Sequence, residues 1–367
     1  MSISELLPPL PMDVVNEFRD SLDDSREMAE REIARLDLEH NNKDAINALF
    51  RALHNIKGNA RMCMFDRLAH YGHHIENIIG EVRSGRLPYI LEVGEVVLLA
   101  LDEFRVYVDT LADTGHLDEA PVREVEAALE TVSQATPDTL VTCARATISR
   151  FTGKLPETKI SVAEVKPPST PAHTQRDDLA CFRDLALRLC ARLPYAAGRI
   201  ERTLPLALKL NAAAPRPVDA AQLEAALYMH DIGLAFVPES LLCKDGKYTA
   251  AEWVIVKQHP GIAAGLLKRV PGWDDAAQMV AQHHAWSDGS EGYPLFIKPE
   301  TLHVGAQILA LVDSYESMTL PRPDRQFRRS VLRAVMEINN LAGRQFSAEL
   351  APVFIAIVRD MVKSQPG

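Results

Sequence analysis

Between residues 14 and 36 the apolar side chains Val14, Val15, Phe18, Leu22, Met28, Ile33 and Leu36 return at helical spacing among charged neighbours. A chain written with that period folds as amphipathic helices that each bury one stripe. The pattern recurs over 45–65, 67–82, 91–111 and 121–132, where Pro121 sits in a first turn. It resumes from residue 177 and runs to 362, and no alternating run of β-branched residues interrupts it. The expectation is an all-α protein that begins with a helical bundle.

One stretch breaks the period. "KLPETKISVAEVKPPSTPAHTQR", residues 154–176, is rich in Pro, Thr and Ser and has no apolar face, which marks a linker. The chain therefore divides into a bundle with trailing helices at 1–151, a linker at 152–176 and a second helical domain at 177–367. A length of 367 residues is enough for each domain to bury a core. The net charge of −10 gives no general attraction to a nucleic acid polymer or an anionic membrane. No apolar run is long enough to insert in a membrane, and the start lacks the basic and apolar regions of a secretory signal. Five scattered cysteines without a CxxC fit reduced thiols, so a cytoplasmic location is expected.

In the front domain, "HNIKG" places His54 and Lys57 three apart on one helix face, and His73 and Glu76 repeat the spacing on the next helix. If the two helices pack antiparallel, the four polar groups meet. A carboxylate at Glu76 can hold one imidazole nitrogen as the proper tautomer while the other attacks a phosphoryl group. Lys57 would balance the charge of that group, and Gly58 would leave room for a partner's active site. This stretch resembles the histidine phosphotransfer (HPt) family, most of all the phosphotransfer domain of chemotaxis-type kinases, over about residues 11–111. The resemblance implies that His54 is the phosphoacceptor, with Lys57, Gly58, His73 and Glu76 around it. No Gly-rich ATP-binding motif occurs, so a separate histidine kinase or response-regulator receiver would supply the phosphate.

In the back domain, "MHDIG" carries His230 and Asp231, "KQHPG" carries His259, "QHHAW" carries His283 and His284, and "LALVDSYE" carries Asp313. Tandem histidines at a helix end are costly to bury unless something uses their nitrogens. Mixed imidazole and carboxylate suits first-row metals such as iron or manganese, and an aspartate beside a histidine can bridge two ions. The order and spacing resemble the HD-GYP branch of the HD phosphohydrolases, whose naming motif stands here as Gly292, Tyr293 and Pro294. That resemblance implies an all-helical domain using two divalent transition-metal ions and no organic cofactor to hydrolyse cyclic di-GMP to pGpG or GMP. It assigns His230, Asp231, His259, His283, His284 and Asp313 to the metals. Gly292, Tyr293 and Pro294 border the substrate, and Arg322 and Arg325 of "RPDR" meet its phosphate.

The chain also departs from that family. Arg199 of "GRIERT" stands where a histidine ligand is usual, and Tyr195 where some members have a glutamate. Leu234 replaces the lysine of HDxGK, Ala285 replaces an acidic residue after the tandem histidines, and Glu291 lengthens the motif loop. A guanidinium cannot ligate a metal and repels a nearby cation. Two functions compete on these grounds. One is a cyclic di-GMP phosphodiesterase controlled by phosphotransfer to His54. The other is a weak or inactive scaffold that binds cyclic di-GMP or a partner such as a GGDEF-domain diguanylate cyclase. The remaining histidines, among them His40, His70, His74 and His303, read as surface or core-edge residues, and Trp253, Trp273 and Trp286 as core.

Overall fold

The computed structural model describes residues 12–114, 116–153, 173–193, 195–244, 246–293, 300, 302–320 and 328–363. The chain divides into two compact units, Met1–Lys154 and Leu155–Gly367.

Among the described residues the first unit holds six helices: α1 (Met12–Leu38), α2 (Lys43–Met62), α3 (Asp66–Ser84), α4 (Leu91–Thr114), α5 (Glu119–Ser133) and α6 (Leu140–Thr152). Asn42 starts α2 by accepting the Ala45 amide at 3.0 Å, which satisfies one of the donors a helix start leaves open. Leu49, Leu53 and Ile56 form the inward stripe of α2, and Leu68, Ile75 and Ile79 that of α3. Burying each such side chain stabilises the bundle by roughly 1.5–3 kcal/mol. The Phe18 ring meets Phe65 at 5.3 Å and Phe104 at 6.4 Å, closing α1 and α4 over the same core. The packed α2–α3 pair leaves its outer face free for polar residues.

The second unit contains α7 (His173–Arg192), α8 (Arg199–Ala213), α9 (Ala220–Met229), a 3₁₀ turn (Ile232–Phe236), α10 (Glu239–Leu242), α11 (Ala250–Val256), α12 (His259–Leu267) and α13 (Asp274–Gln282). Two short strands follow, β1 (His284–Ala285) and β2 (Gly292–Tyr293), then α14 (Val304–Thr319), α15 (Val331–Asn340) and α16 (Leu350–Lys363). The all-α expectation holds, with one small antiparallel exception that pairs His284 with Tyr293 and Ala285 with Gly292. Helix α7 takes in residues 173–176 of the stretch read as linker; those residues are polar, so no apolar stripe signals that the helix has begun.

Helix α9 is buried from Leu223 to Met229 except at Glu224, and α14 buries Ile308, Leu309, Leu311 and Val312, so both run through the centre of the unit. Trp273 is fully buried, donates its indole N–H to Asp178 at 2.9 Å and packs edge-on against Phe182, tying α13 to α7. Trp253, expected in the core, is instead 40% exposed, its ring edge-on to Tyr248. Among the described residues no helix is long and apolar enough to cross a membrane.

Candidate metal centre and phosphoacceptor site

The centre of the second unit is assembled from helix ends. His230 caps the C-terminus of α9 and Asp231 follows it, His259 opens α12, and His283 caps α13. His284 leads into β1, while Asp313 projects from the middle of α14. Three of these imidazoles are fixed in the same way. Nδ1 of His230 meets the Leu227 carbonyl at 2.7 Å, that of His259 meets Val256 at 2.8 Å, and that of His283 meets Val280 at 2.7 Å. A carbonyl only accepts, so each ring carries its proton on Nδ1 and turns the Nε2 lone pair inward. A C-terminal helical turn supplies such a carbonyl three residues back, which is why helix ends serve this purpose.

Potential ligand atoms of Asp231, His259, His283 and His284 gather within 4.8 Å of one another, and so do those of His230, Asp231 and Asp313. Asp231 belongs to both groups. In the first, the Nε2 atoms of His259 and His283 are buried without a hydrogen-bond partner. These two orphaned lone pairs, with the His284 imidazole and the Asp231 carboxylate, offer three nitrogens and one oxygen, a set that fits a divalent first-row metal. Burial, reinforced by the neighbouring imidazoles, lowers the proton affinity of His283 and His284 well below the ordinary histidine value, and His259 is lowered too. Burial by itself would raise Asp231, yet His230, Arg199 and His259 together hold its carboxylate well below the usual range. These four side chains therefore favour their deprotonated forms, the forms that could bind a metal.

In the second group the partner is already present. Arg199, first residue of α8, donates Nη1–H to Asp231 Oδ2 at 2.6 Å and Nη2–H to Asp313, and Nη2 lies 3.2 Å from His230 Nε2. One turn along, Arg202 pairs with the buried Glu316 at 2.7 and 2.9 Å, a second rung between α8 and α14. The sequence gives no sign of that rung, because the partners lie 114 positions apart.

The motif loop is organised by its glycine. Gly292 has φ +86°, and a β-carbon there would fall 2.8 Å from the Trp286 amide nitrogen. The resulting β1–β2 pairing lays the Tyr293 ring on His284, 4.6 Å between centroids. Gly233 has a comparable part, since a β-carbon would come within 2.7 Å of the His259 Cα; this close contact fixes the turn after Asp231 against the start of α12. Leu234 and Ala285 are buried apolar residues, and Tyr195 is half-buried. Lys257, passed over in the sequence reading, brings Nζ to 5.5 Å from the Tyr293 ring centre, and its one signal is its place two residues before His259. Pro294, Arg322 and Arg325 lie outside the described residues.

In the first unit, Glu76 joins α2 to α3. Its carboxylate lies 3.3 Å from Nδ1 of His54 and forms an ion pair with Lys57 Nζ at 2.6 Å. The His54 side chain is 59% exposed while that of Glu76 is 9% exposed, so the imidazole stands on the surface and the carboxylate below it. A β-carbon on Gly58 would meet nothing within 4 Å, so the face is open there. His73, on the exposed side of α3, lies 3.4 Å from the Asn77 amide. His70 is exposed, as its reading as a surface or core-edge residue expects, and its ring pairs with the buried Glu126 of α5 at 3.0 Å.

The two units fall in two known classes. Residues 13–114 match the model of the Hpt domain, and residues 180–350 match that of the HD domain. The chain therefore carries an Hpt domain followed by an HD domain. It is 28% identical over 186 residues to a cyclic di-GMP phosphodiesterase of Thermotoga maritima, covering 50% of this chain and 48% of that protein. A 3′3′-cGAMP-specific phosphodiesterase 3 of Vibrio cholerae is 30% identical over 180 residues, 48% of this chain and 39% of that one. The sensor histidine kinase CheAY of Helicobacter pylori is 29% identical over 108 residues, 29% of this chain and 13% of the kinase. The chain spans less than half the length of each of these relatives.

Proposed function

We propose that this protein is a metal-dependent cyclic dinucleotide phosphodiesterase under phosphorelay control, with cyclic di-GMP as its substrate. The observation that carries the reading is the buried convergence of Asp231, His259, His283 and His284, with two imidazole nitrogens left unpartnered for an ion. Asp231, His259, His283 and His284 would hold a divalent metal, which would supply Lewis-acid activation of water and of a phosphate oxygen. The protein's own part is to keep the ligands neutral or anionic, through burial and the Val256 and Val280 carbonyls that hold His259 and His283, and to border the pocket with Tyr293 and the nearby Lys257. In the reaction, water adds across one phosphodiester: the bond from phosphorus to the 3′ oxygen breaks, that oxygen takes a proton, and linear pGpG results. A second cut at the remaining phosphodiester gives GMP.

The regulatory half of the reading rests on the His54–Glu76–Lys57 network. Its phosphate donor is a histidine kinase or a response-regulator receiver, since an exposed imidazole is open to another protein's active site. Relatives named as phosphodiesterases on one side and as a sensor histidine kinase on the other agree with this division.

The test is direct. Full-length protein reconstituted anaerobically with Fe(II) or Mn(II) should convert cyclic di-GMP to pGpG or GMP. Metal-loaded protein that binds cyclic di-GMP and leaves it intact would instead support the second reading, a signalling scaffold. Buried Leu234, in the place where the resemblance expects a phosphate-binding lysine, favours that alternative. The GGDEF-domain partner draws no support from the described residues.

A further inference from the structure

We infer that Arg199 is a built-in replacement for a second metal ion, so that the centre holds one ion, in the Asp231, His259, His283 and His284 group, with the guanidinium as its permanent neighbour. This deepens the phosphodiesterase reading and rests on its metal centre, though not on turnover.

Three observations carry it. First, the two ligand groups share Asp231 and differ in what satisfies them. The first group keeps orphaned nitrogens on His259 and His283, whereas every member of the second, His230, Asp231 and Asp313, faces a terminal nitrogen of Arg199. Second, the carboxylate of Asp231 is divided between the groups. Oδ2 accepts from Arg199 at 2.6 Å, while Oδ1 lies 3.4 Å from the His259 Nε2 on the other side. A carboxylate that could bridge two ions here bridges one ion site and one guanidinium. Third, Arg199 is held in register. It begins α8, its side chain is 16% exposed, and the Arg202–Glu316 pair fixes the same helix to α14 one turn further on.

Arginine cannot give up its proton in a protein, so it never becomes a metal ligand, and its planar fork is suited to two carboxylates at once. An ion seeking His230, Asp231 and Asp313 at about 2.0–2.2 Å would have to displace the guanidinium from all three. The replacement keeps Asp231 and Asp313 neutralised and keeps the shared aspartate aimed at the remaining ion. It also leaves the centre one charge less positive than two divalent ions would, and without a second Lewis acid.

The experiment is a metal count on the full-length chain, stripped with chelator, reloaded anaerobically with excess Mn(II) and desalted. Wild type should retain one ion per chain and show the magnetic resonance spectrum of an isolated Mn(II). Arg199→His and Arg199→Ala should each retain two, with the spectrum of a coupled pair. Two ions in wild type, or one in both variants, would overturn the inference and leave the metal-centre reading standing. No ion in folded wild type would overturn both together. His259→Ala in the wild-type background is the control that does not disturb Arg199: its metal should fall to zero, and retention of the single ion would place that ion in the wrong group.

Discussion

His54 and His259 are the same side chain set in opposite surroundings. The first stands 59% exposed on a helix face with its Nδ1 beside a carboxylate, and the second is 3% exposed with Nδ1 on a backbone carbonyl and Nε2 partnerless. An imidazole that takes a phosphoryl group must be reached by another protein, and a carboxylate such as Glu76 beside one nitrogen orients the ring. An imidazole that holds a metal gains from being dry, because exclusion of water strengthens the ligand field and suppresses the competing proton. Burial, more than residue type, separates the two sites.

Four experiments press on that contrast. The largest effect is expected from His54→Gln: labelling from a phosphorylated receiver should vanish while metal content stays at the wild-type value. Retained label would mean that another histidine is the acceptor. Next, Asp231→Ala removes the residue common to both ligand groups and leaves Arg199 with one carboxylate fewer. Metal binding should weaken by ~100-fold or more, and breaking a buried ion pair should cost the unit about 3–5 kcal/mol, read by denaturant titration. Unchanged metal content would show that Asp231 is not a ligand. Third, Glu76→Gln should slow phosphotransfer by about 10–100-fold without abolishing it, the usual range for loss of an orienting partner. An unaltered rate would reduce Glu76 to a packing residue.

The smallest effect is one of pH. His259, His283 and His284 have proton affinities lowered by burial, so in metal-free protein the unfolded chain binds protons that the folded unit refuses. Their contribution to stability is complete above the unfolded value of about 6.5 and is lost as pH falls toward the lowered folded values. The denaturation midpoint of the second unit should therefore decline between pH 7.5 and 5.5, and a flat profile would contradict the burial assigned to these rings.

Much of this was legible in the residues. The apolar stripes of α2 and α3 predict helices that the structure starts and ends within a few residues of 45–65 and 67–82. The HNIKG and His73/Glu76 spacings point to a shared face, and the structure joins His54, Lys57 and Glu76 there, although His73 lies beside Asn77 instead. Spacing on one helix fixes a face, while the direction a side chain takes from that face depends on its neighbours. Trp253 was misread for a related reason, since a large apolar ring says nothing of whether its short helix lies at the surface.

By itself, then, the sequence determined the helical class, the surface histidine with its carboxylate, and the set of imidazoles and aspartates available to a metal, because these follow from local period and residue chemistry. It also displayed Arg199 where the resemblance expects a ligand. Only the tertiary structure decided what that arginine does. Its partners at positions 230, 231 and 313 come from α9 and α14, and a guanidinium can stand for an ion only when three such groups, remote along the chain, are brought within hydrogen-bonding reach. Contacts of that range are products of packing, which no local pattern encodes.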